Sequence, residues 1–168
     1  MKKVFIAILA FVASASAFSQ SKDVVDIAIG SKDHTTLVAA VKAADLVTTL
    51  KSKGPFTVFA PTNAAFDKLP AGTVTNLLKP ESKAQLVKIL TYHVVSGNLD
   101  AAAVVAAIKA GNGTAVLTTV SGGKLSAAMD NGKVKVTDEA GNSAYVIVAD
   151  LKGSNGVVHV LDAVVLPK

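Results

Sequence analysis

The amino-acid sequence predicts an α+β domain in which helices lie on one side of a small antiparallel β-sandwich or wedge. Two features of the pattern lead to this fold class. Apolar residues recur at helical spacing in residues 33–53 and again in residues 82–93, whereas from Thr114 onward they recur every second residue, as in a half-buried strand. No low-complexity linker separates the two halves. We therefore expect both halves to share one domain.

The first residues have the three regions of a secretory signal peptide. Lys2 and Lys3 precede an apolar run at residues 4–12, and small residues follow at 13–17. A membrane-spanning helix needs roughly 20 apolar residues, and this run ends well before that length. We expect residues 1–17 to be removed after Ala17, with cleavage after Ser19 as the alternative. The mature protein is then expected to be secreted or periplasmic, with no membrane span.

The first predicted helix of the mature chain covers residues 33–53. Its buried face consists of six apolar residues at helical spacing: Leu37, Ala40, Val41, Ala44, Val47 and Leu50. The Gly54-Pro55 pair ends this helix. Residues 56–60 are β-branched or aromatic for the most part and predict a short buried strand, which Pro61 closes.

Polar residues predict where the following helices begin. The candidate N-caps are Thr62, Thr73, Ser82 and Asp100. Ser82 and Gln85 have the spacing of a capping box. The helix after Ser82 carries a stripe formed by Leu86, Ile89, Leu90 and His93, which places the histidine on the inward face. Gly111 is expected to adopt the left-handed conformation that ends the alanine-rich helix after Asp100.

The second half contains five candidate strands, at residues 116–120, 125–129, 133–137, 144–149 and 157–166. The Asn131-Gly132 pair predicts a tight hairpin turn between the second and third of them. The last two strands are almost continuously apolar. We therefore expect both to lie in the middle of the sandwich and to be covered on both faces.

Composition disfavours several classes of function. The chain has no cysteine, so it has neither disulfides nor a thiol nucleophile nor a cysteine for lipid attachment. Its net charge of +5 falls to +3 without Lys2 and Lys3, all its cations are lysines, and aromatic residues are 5% of the chain. Nucleic-acid binding relies on arginine and on stacking aromatics, so we predict no nucleic-acid partner.

Catalysis and metal binding are also not predicted. The three histidines, His34, His93 and His159, lie far apart in sequence, and none has a second ligand at helical spacing. No nucleophile elbow, phosphate-binding glycine loop or dinucleotide fingerprint occurs. We therefore predict a protein that is not an enzyme and that uses no metal and no cofactor.

Three segments together resemble the conserved blocks of the fasciclin domain family. Residues 57–66 (TVFAPTNAAF) resemble the first block, Tyr92-His93 resembles the central tyrosine-histidine motif, and residues 155–162 (NGVVHVLD) resemble the last block. Their order and spacing also match, from about residue 31 to the end of the chain at residue 168. The resemblance implies a wedge-shaped β-sandwich with helices packed along one edge, and it assigns residues 31–168 to one fasciclin domain.

Most residues of these blocks have an ordinary structural interpretation as core anchors, turn formers or caps. Those residues are Thr57, Phe59, Pro61, Thr62, Asn63, Phe66, Asn155, Gly156, His159 and Asp162. In animal members of the family the tyrosine-histidine region is associated with adhesion, so Tyr92 and His93 are also candidate contact residues. The position of His93 on the helical stripe favours a buried, hydrogen-bonded side chain instead.

The resemblance implies a second candidate contact at Asp150-Leu151, where animal members carry an aspartate followed by isoleucine. Val148-Ala149 replaces the glutamate-proline that precedes the pair in those proteins, which disfavours recognition by an integrin. We expect Asp150 and Leu151 to lie on the surface at the end of a strand. Replacing both by alanine is then expected to leave thermal unfolding nearly unchanged and to reduce adhesion.

The sequence and the resemblance together predict an extracytoplasmic binding or cell-adhesion module whose partner is a surface protein or a polysaccharide. The alternative is a carrier of a small apolar ligand such as a carotenoid or a lipid, because some family members bind pigments of that kind. The oligomeric state stays open. So does the choice between the periplasm and the extracellular space.

Overall fold

A computed structural model describes residues 21–168 of the chain. The predicted signal peptide, residues 1–17, lies outside the described residues. The helices are α1 (Val24–Ile29), α2 (Thr35–Ala43), α3 (Val47–Leu50), α4 (Asn63–Asp67), α5 (Thr73–Leu77), α6 (Lys83–Tyr92) and α7 (Ala101–Ala110), and short 3-10 turns cover Lys32–His34 and Pro80–Ser82.

Seven strands form one hydrogen-bonded sheet in the order β2-β1-β7-β6-β5-β4-β3. Their bounds are β1 (Phe56–Pro61), β2 (Val94–Ser96), β3 (Thr114–Thr118), β4 (Lys124–Asp130), β5 (Lys133–Thr137), β6 (Ser143–Gly153) and β7 (Gly156–Leu161). Among the strands of residues 21–168, β1 and β7 form the only parallel pair. The sheet curls until its two edges meet, where Val95 of β2 forms a bridge with Thr119. The predicted α+β fold, with a sandwich-like sheet and helices beside it, is confirmed.

Two apolar clusters hold the fold together. One lies between the helices and the sheet, where Leu37, Leu86 and Ile89 pack with Val158 of β7. The other lies inside the curled sheet and under α7; it includes Phe59 and Leu125. Strand β7 runs between the clusters and is buried along its whole length. This burial on both faces confirms the prediction for the last strand, although the strand ends at Leu161 and does not extend to residue 166.

The predicted helix over residues 33–53 is interrupted, which the sequence pattern did not indicate. Asp45 has a φ of 56°, and the Leu46 amide donates to the Val41 carbonyl across 3.1 Å, the 6→1 bond of a Schellman motif. The chain therefore turns between α2 and α3. Neither glycine nor asparagine marks this point, but aspartate tolerates the left-handed conformation better than most residues do.

Two of the predicted N-caps are wrong and two are confirmed. Thr62 accepts a hydrogen bond from the Ala65 amide, and Asp100 accepts one from the Ala103 amide. Helix α5 instead begins after Gly72, which has a φ of 84°, so Thr73 is its first helical residue. Ser82 makes no capping hydrogen bond, because it is itself the last residue of the 3-10 turn that continues into α6.

Two further predictions about backbone conformation have different outcomes. The left-handed residue after α7 is Asn112, with a φ of 54°, and not Gly111. Alanine would not fit at Gly111, because a Cβ there would lie 2.0 Å from the Thr114 carbonyl oxygen. Asn131 and Gly132 both have positive φ, which confirms the tight hairpin between β4 and β5.

Candidate binding surface

Strand β6 is not covered on both faces, contrary to the prediction. Its pairing with β7 shifts register twice, between Val146 and Val148 and again between Val148 and Leu151. Such bulges bend a strand and redirect its side chains. Residues 147–150 are exposed in consequence. We call Ile147, Val148, Ala149 and Asp150 the bulge surface.

Asp150 lies within this bulged segment and ties it to helix α7. Its φ is 61°. One carboxylate oxygen, Oδ1, accepts a hydrogen bond from the Ala101 amide across 2.7 Å. This amide belongs to the first turn of α7, where backbone donors have no partner within the helix. Asp150 therefore supplements the N-cap Asp100 and has a structural role as well as an exposed surface.

Leu151 is also not a free surface residue. Its side chain is partly buried and packs against the helix-side core cluster. The expectation that Asp150 and Leu151 can both become alanine without affecting stability is therefore revised. The double substitution would remove a hydrogen bond at a helix start and would trim the edge of the core. Loss of adhesion in that variant could not be separated from loss of folding.

We predict that Asp150→Ala lowers the free energy of unfolding by about 1–2 kcal/mol, because it removes the bond to Ala101 and places alanine at a left-handed position. Asp150→Asn should cost much less, since asparagine keeps an acceptor oxygen and tolerates positive φ. Urea denaturation of both variants and the parent tests this. Equal midpoints for the alanine and asparagine variants would show that the side-chain bond contributes nothing.

Tyr92 is fully buried inside the curled sheet. Its hydroxyl donates to the Lys124 carbonyl across 2.7 Å and accepts from the Glu139 amide across 3.2 Å. Burial raises the pKa of this phenol, and the nearby carboxylates of Glu139 and Asp138 act in the same direction. Tyr92 thus joins α6 to the loops around β4, and it presents no surface to a partner in this conformation.

His93 lies at the end of α6 and is buried, with 3% of its surface exposed. Its Nδ1 donates to the Ile89 carbonyl across 2.9 Å, and its Nε2 accepts from the Val165 amide across 3.3 Å. Since a carbonyl can only accept, this geometry requires the neutral tautomer with the proton on Nδ1. Burial lowers the pKa of His93 from its ordinary value of 6.5 to about 4. The ring therefore holds α6 to the C-terminal segment as a neutral group.

A chain of core contacts connects the two candidate contact regions, Tyr92-His93 and Asp150-Leu151. The His93 carbonyl accepts from the Phe59 amide across 2.8 Å, and the Phe59 ring lies 5.6 Å from the ring of His159. His159 donates from Nε2 to the Leu99 carbonyl across 2.7 Å, while its Nδ1 accepts from the Asp150 amide across 3.4 Å. His159 thus holds the bulged strand against the segment that leads into α7.

Two asparagines of the conserved blocks act as clamps between segments. Asn63 accepts from the Thr36 amide and donates to the Lys32 carbonyl, both across 3.0 Å, and so fixes the start of α2. Asn155 accepts from the Val24 amide across 3.0 Å and donates to the Leu50 and Ser52 carbonyls. Each amide satisfies backbone groups on elements that are far away in sequence.

The other residues of the conserved blocks also have structural contacts. Thr57 donates to the Gly97 carbonyl and accepts from the Leu99 amide. Asp162 accepts from the Tyr145 amide across 2.8 Å. Pro61 and Phe66 are buried. Sequence reasoning did not foresee these partners, because every one of them lies at least 17 residues away along the chain.

The family to which the chain belongs follows from a comparison with known protein families. Residues 32–167 match the fasciclin domain. The chain belongs to the fasciclin domain family. The resemblance noted in residues 57–66, 92–93 and 155–162 is thereby confirmed. In this chain the contacts of those segments join the two core clusters and the curled sheet.

Individual relatives support the family assignment, and a solved structure supports the fold. Protein sll1483 of Synechocystis is 51% identical over 156 residues, which is 93% of this chain and 79% of that protein. The cell surface glycolipoprotein MPB83 of Mycobacterium bovis is 37% identical over 123 residues, 73% of this chain and 48% of that protein. A FAS1 domain pair of the insect cell adhesion molecule fasciclin I superposes with a TM-score of 0.61 at 22% identity, covering 77% of this chain and 43% of that one.

The apolar cavity beneath the helices of this fasciclin domain is small. An apolar cavity of about 40 Å³ lies between β1 and the helices α1, α2 and α3. Pockets for drug-sized ligands typically measure roughly 300–1,000 Å³, so a carotenoid does not fit this cavity. Within residues 21–168, no group of three or more histidine, aspartate or glutamate side chains is placed to hold a metal ion.

Proposed function

We propose that this fasciclin domain is an exported, non-catalytic binding module that attaches to a surface protein or a polysaccharide outside the cytoplasm. The basic start, apolar run and small residues at positions 1–17 support export. The identity shared with a cell surface glycolipoprotein supports the same location. None of the helices in residues 21–168 combines the length and apolar character of a membrane span.

The observation that carries the proposal is the bulge surface. Ile147 is 48% exposed and Val148 is 46% exposed, although both belong to a strand whose neighbour β7 is buried throughout. Adjacent exposed apolar side chains can bury area against a partner, and the carboxylate of Asp150 beside them can add a directed polar contact. An apolar centre with a polar rim is the usual composition of a protein interface.

The non-catalytic part of the proposal rests on how the buried polar groups are used. Both ring nitrogens of His93 and of His159 are occupied by backbone partners. A general base needs a nitrogen that can reach a substrate proton. These two histidines are therefore committed to the scaffold, as is the hydroxyl of Tyr92.

The proposal is tested by replacing Ile147 and Val148 with threonine, which keeps a β-branched side chain in the strand while removing apolar surface. We expect the attachment of cells or extracted matrix to immobilised protein to fall at least about fivefold, the loss of roughly 1 kcal/mol of contact energy. Thermal unfolding should stay within a few degrees of the parent, since both positions are exposed.

The matched control is Val116→Thr with Val120→Thr. These two residues are 60% and 45% exposed, belong to or follow β3, and lie outside the bulge surface. This control should attach as well as the parent. Equal attachment by the parent and the Ile147/Val148 variant, with both proteins folded, would show that the bulge surface is not the binding site. A third variant, Asp150→Asn, removes the negative charge of the bulge surface but keeps an acceptor oxygen. Its attachment, compared with that of the parent, measures how much the charge contributes to binding.

A further inference from the structure

A second surface, separate from the bulge surface, is an open groove of about 630 Å³ at the end of the sheet where β1 begins and β6 ends. One wall is the segment that connects α3 to β1, and the other is the β6–β7 hairpin. The lining residues that carry polar side chains are Lys51, Ser52, Lys53, Asn98, Lys152, Ser154 and Asn155.

The two walls of the groove are fixed to one another by hydrogen bonds. Asn155 donates from its side chain to the Leu50 carbonyl across 2.7 Å and to the Ser52 carbonyl across 3.0 Å. The Phe56 amide donates to the Asn155 carbonyl across 3.0 Å, and the Gly97 amide donates to the Pro55 carbonyl across the same distance. The groove is therefore preformed, which reduces the conformational entropy lost when a ligand binds.

The groove is cationic. Three lysines and no aspartate or glutamate line it. Lys51 forms ion pairs with Asp23 and Asp26, so this trio has a net charge of −1 and Lys51 adds no free positive charge to the groove. Lys53 and Lys152 lie on opposite walls, both are exposed, and neither forms an ion pair with a residue of the described part of the chain. Two uncompensated positive charges thus face one concave surface, where low-dielectric walls concentrate their field.

We propose that this groove binds an acidic polysaccharide, with Lys53 and Lys152 contacting carboxylate or sulfate groups on successive sugars. Asn98 and Ser154 lie in the same groove, and their side chains make no hydrogen bond with residues 21–168. They are therefore available for sugar hydroxyls. The proposal does not depend on the function assigned to the bulge surface, because the two surfaces share no residue.

The lining favours a polysaccharide over other polyanions. It contains neither arginine nor an aromatic residue, the side chains on which nucleic-acid binding relies. Its apolar members are Pro55 and Val157, and Val157 is buried, so there is no anchor for an acidic peptide and nothing to insert into a membrane. An acidic polysaccharide is hydrophilic and carries regularly spaced charges, so lysine side chains and hydrogen-bonding groups are sufficient to bind it.

The test uses the mature chain with Lys53→Gln and Lys152→Gln, compared with the parent and with a charge-matched control, Lys79→Gln with Lys109→Gln. Both control lysines are exposed and lie outside the groove. The probes are polygalacturonate and dextran sulfate, with binding measured at ionic strengths of about 0.05 M and 0.15 M. We expect the groove variant to bind at least about fivefold more weakly than the parent, and the control to bind within about twofold of it.

Three results would overturn the proposal. The first is no binding of the parent to either polysaccharide at the lower ionic strength. The second is an equal loss in the groove variant and the control, which would mean that overall charge alone attracts the probe. The third is equal or tighter binding to polyglutamate, single-stranded DNA or phosphatidylserine vesicles with the same sensitivity to the groove variant. The Ile147→Thr/Val148→Thr protein should bind polysaccharide like the parent, so that failure of one proposal leaves the other open.

Discussion

Gly156→Ala is expected to lower the free energy of unfolding by about 3 kcal/mol or more, which is enough to unfold a domain of ordinary stability in part. Gly156 is the first residue of β7, opposite Phe56 in the parallel pairing with β1. A Cβ at this position would lie 2.0 Å from the Phe56 carbonyl oxygen. Since the backbone fixes the position of the Cβ and the Phe56 oxygen is itself a backbone atom, β1 and β7 would have to separate.

Circular dichroism during thermal and urea unfolding measures this loss. The control is Gly122→Ala, where φ is 89° and no atom lies within 4 Å of the added Cβ. That variant carries only the conformational penalty of a left-handed alanine, about 1–2 kcal/mol. Gly156 has no left-handed φ, so the loss in Gly156→Ala reports the steric clash directly and should exceed the loss in Gly122→Ala. If both lose the same stability, close packing of β1 on β7 is not the reason for glycine at position 156.

The second large effect concerns pH. Because burial holds the pKa of His93 near 4 while the unfolded chain has the ordinary value of 6.5, the unfolded state binds the proton first as the pH falls. The contribution of His93 to stability is therefore present above pH 6.5 and is lost progressively between pH 6.5 and pH 4. By linkage, the folded state should lose about 2 kcal/mol between pH 7 and pH 5.

Burial also lowers the pKa of His34, which adds to the loss in the same direction. The bond from Lys51 lowers the pKa of Asp26, and the hydrogen bond from the Tyr145 hydroxyl lowers that of Asp130, so both aspartates lose their stabilising contribution only at more acidic pH, below the ordinary carboxyl value of 3.8. The interval between pH 7 and pH 5 therefore reports mainly on histidines.

His93→Ala tests the assignment at neutral and acid pH. At pH 7 the variant should be less stable by about 1–3 kcal/mol, because the Val165 amide loses its acceptor and the core loses an imidazole ring. Between pH 7 and pH 5 its stability should change less than that of the parent. Urea midpoints at both pH values measure this. An identical pH dependence in variant and parent would show that His93 does not titrate as a buried neutral group.

The sequence correctly predicted features that depend on interactions between residues close together in the chain, such as N-caps and tight turns. Thr62 and Asp100 cap the helices that follow them, because an N-cap bond joins residues three positions apart. Asn131-Gly132 forms its hairpin because both residues tolerate positive φ. The stripe that includes His93 predicted its burial, because a helical period assigns residues to one face.

Predictions failed where a distant segment decides the outcome. Apolar pattern alone placed β6 in the core, but two register shifts against β7 expose Ile147 and Val148. The roles of the candidate site residues also depend on distant segments. Resemblance pointed to Asp150 and Leu151, yet only the fold shows that Asp150 bonds the start of α7 and that Leu151 packs on the core. The cationic groove joins residues about 100 positions apart, so no local pattern could indicate it.

Periodicity, turn residues and short motifs act over a few residues, so they were enough to predict the α+β class, the family, most helix and strand positions and the signal peptide. Contacts between distant segments determine which apolar residues reach the surface, which polar groups of the fasciclin blocks are already hydrogen-bonded, and which lysines line the same groove. Those properties depend on contacts such as Asn155 with Leu50 and His159 with Leu99. Each such contact forms between two segments that are far apart in sequence, so the local sequence of either segment cannot predict it.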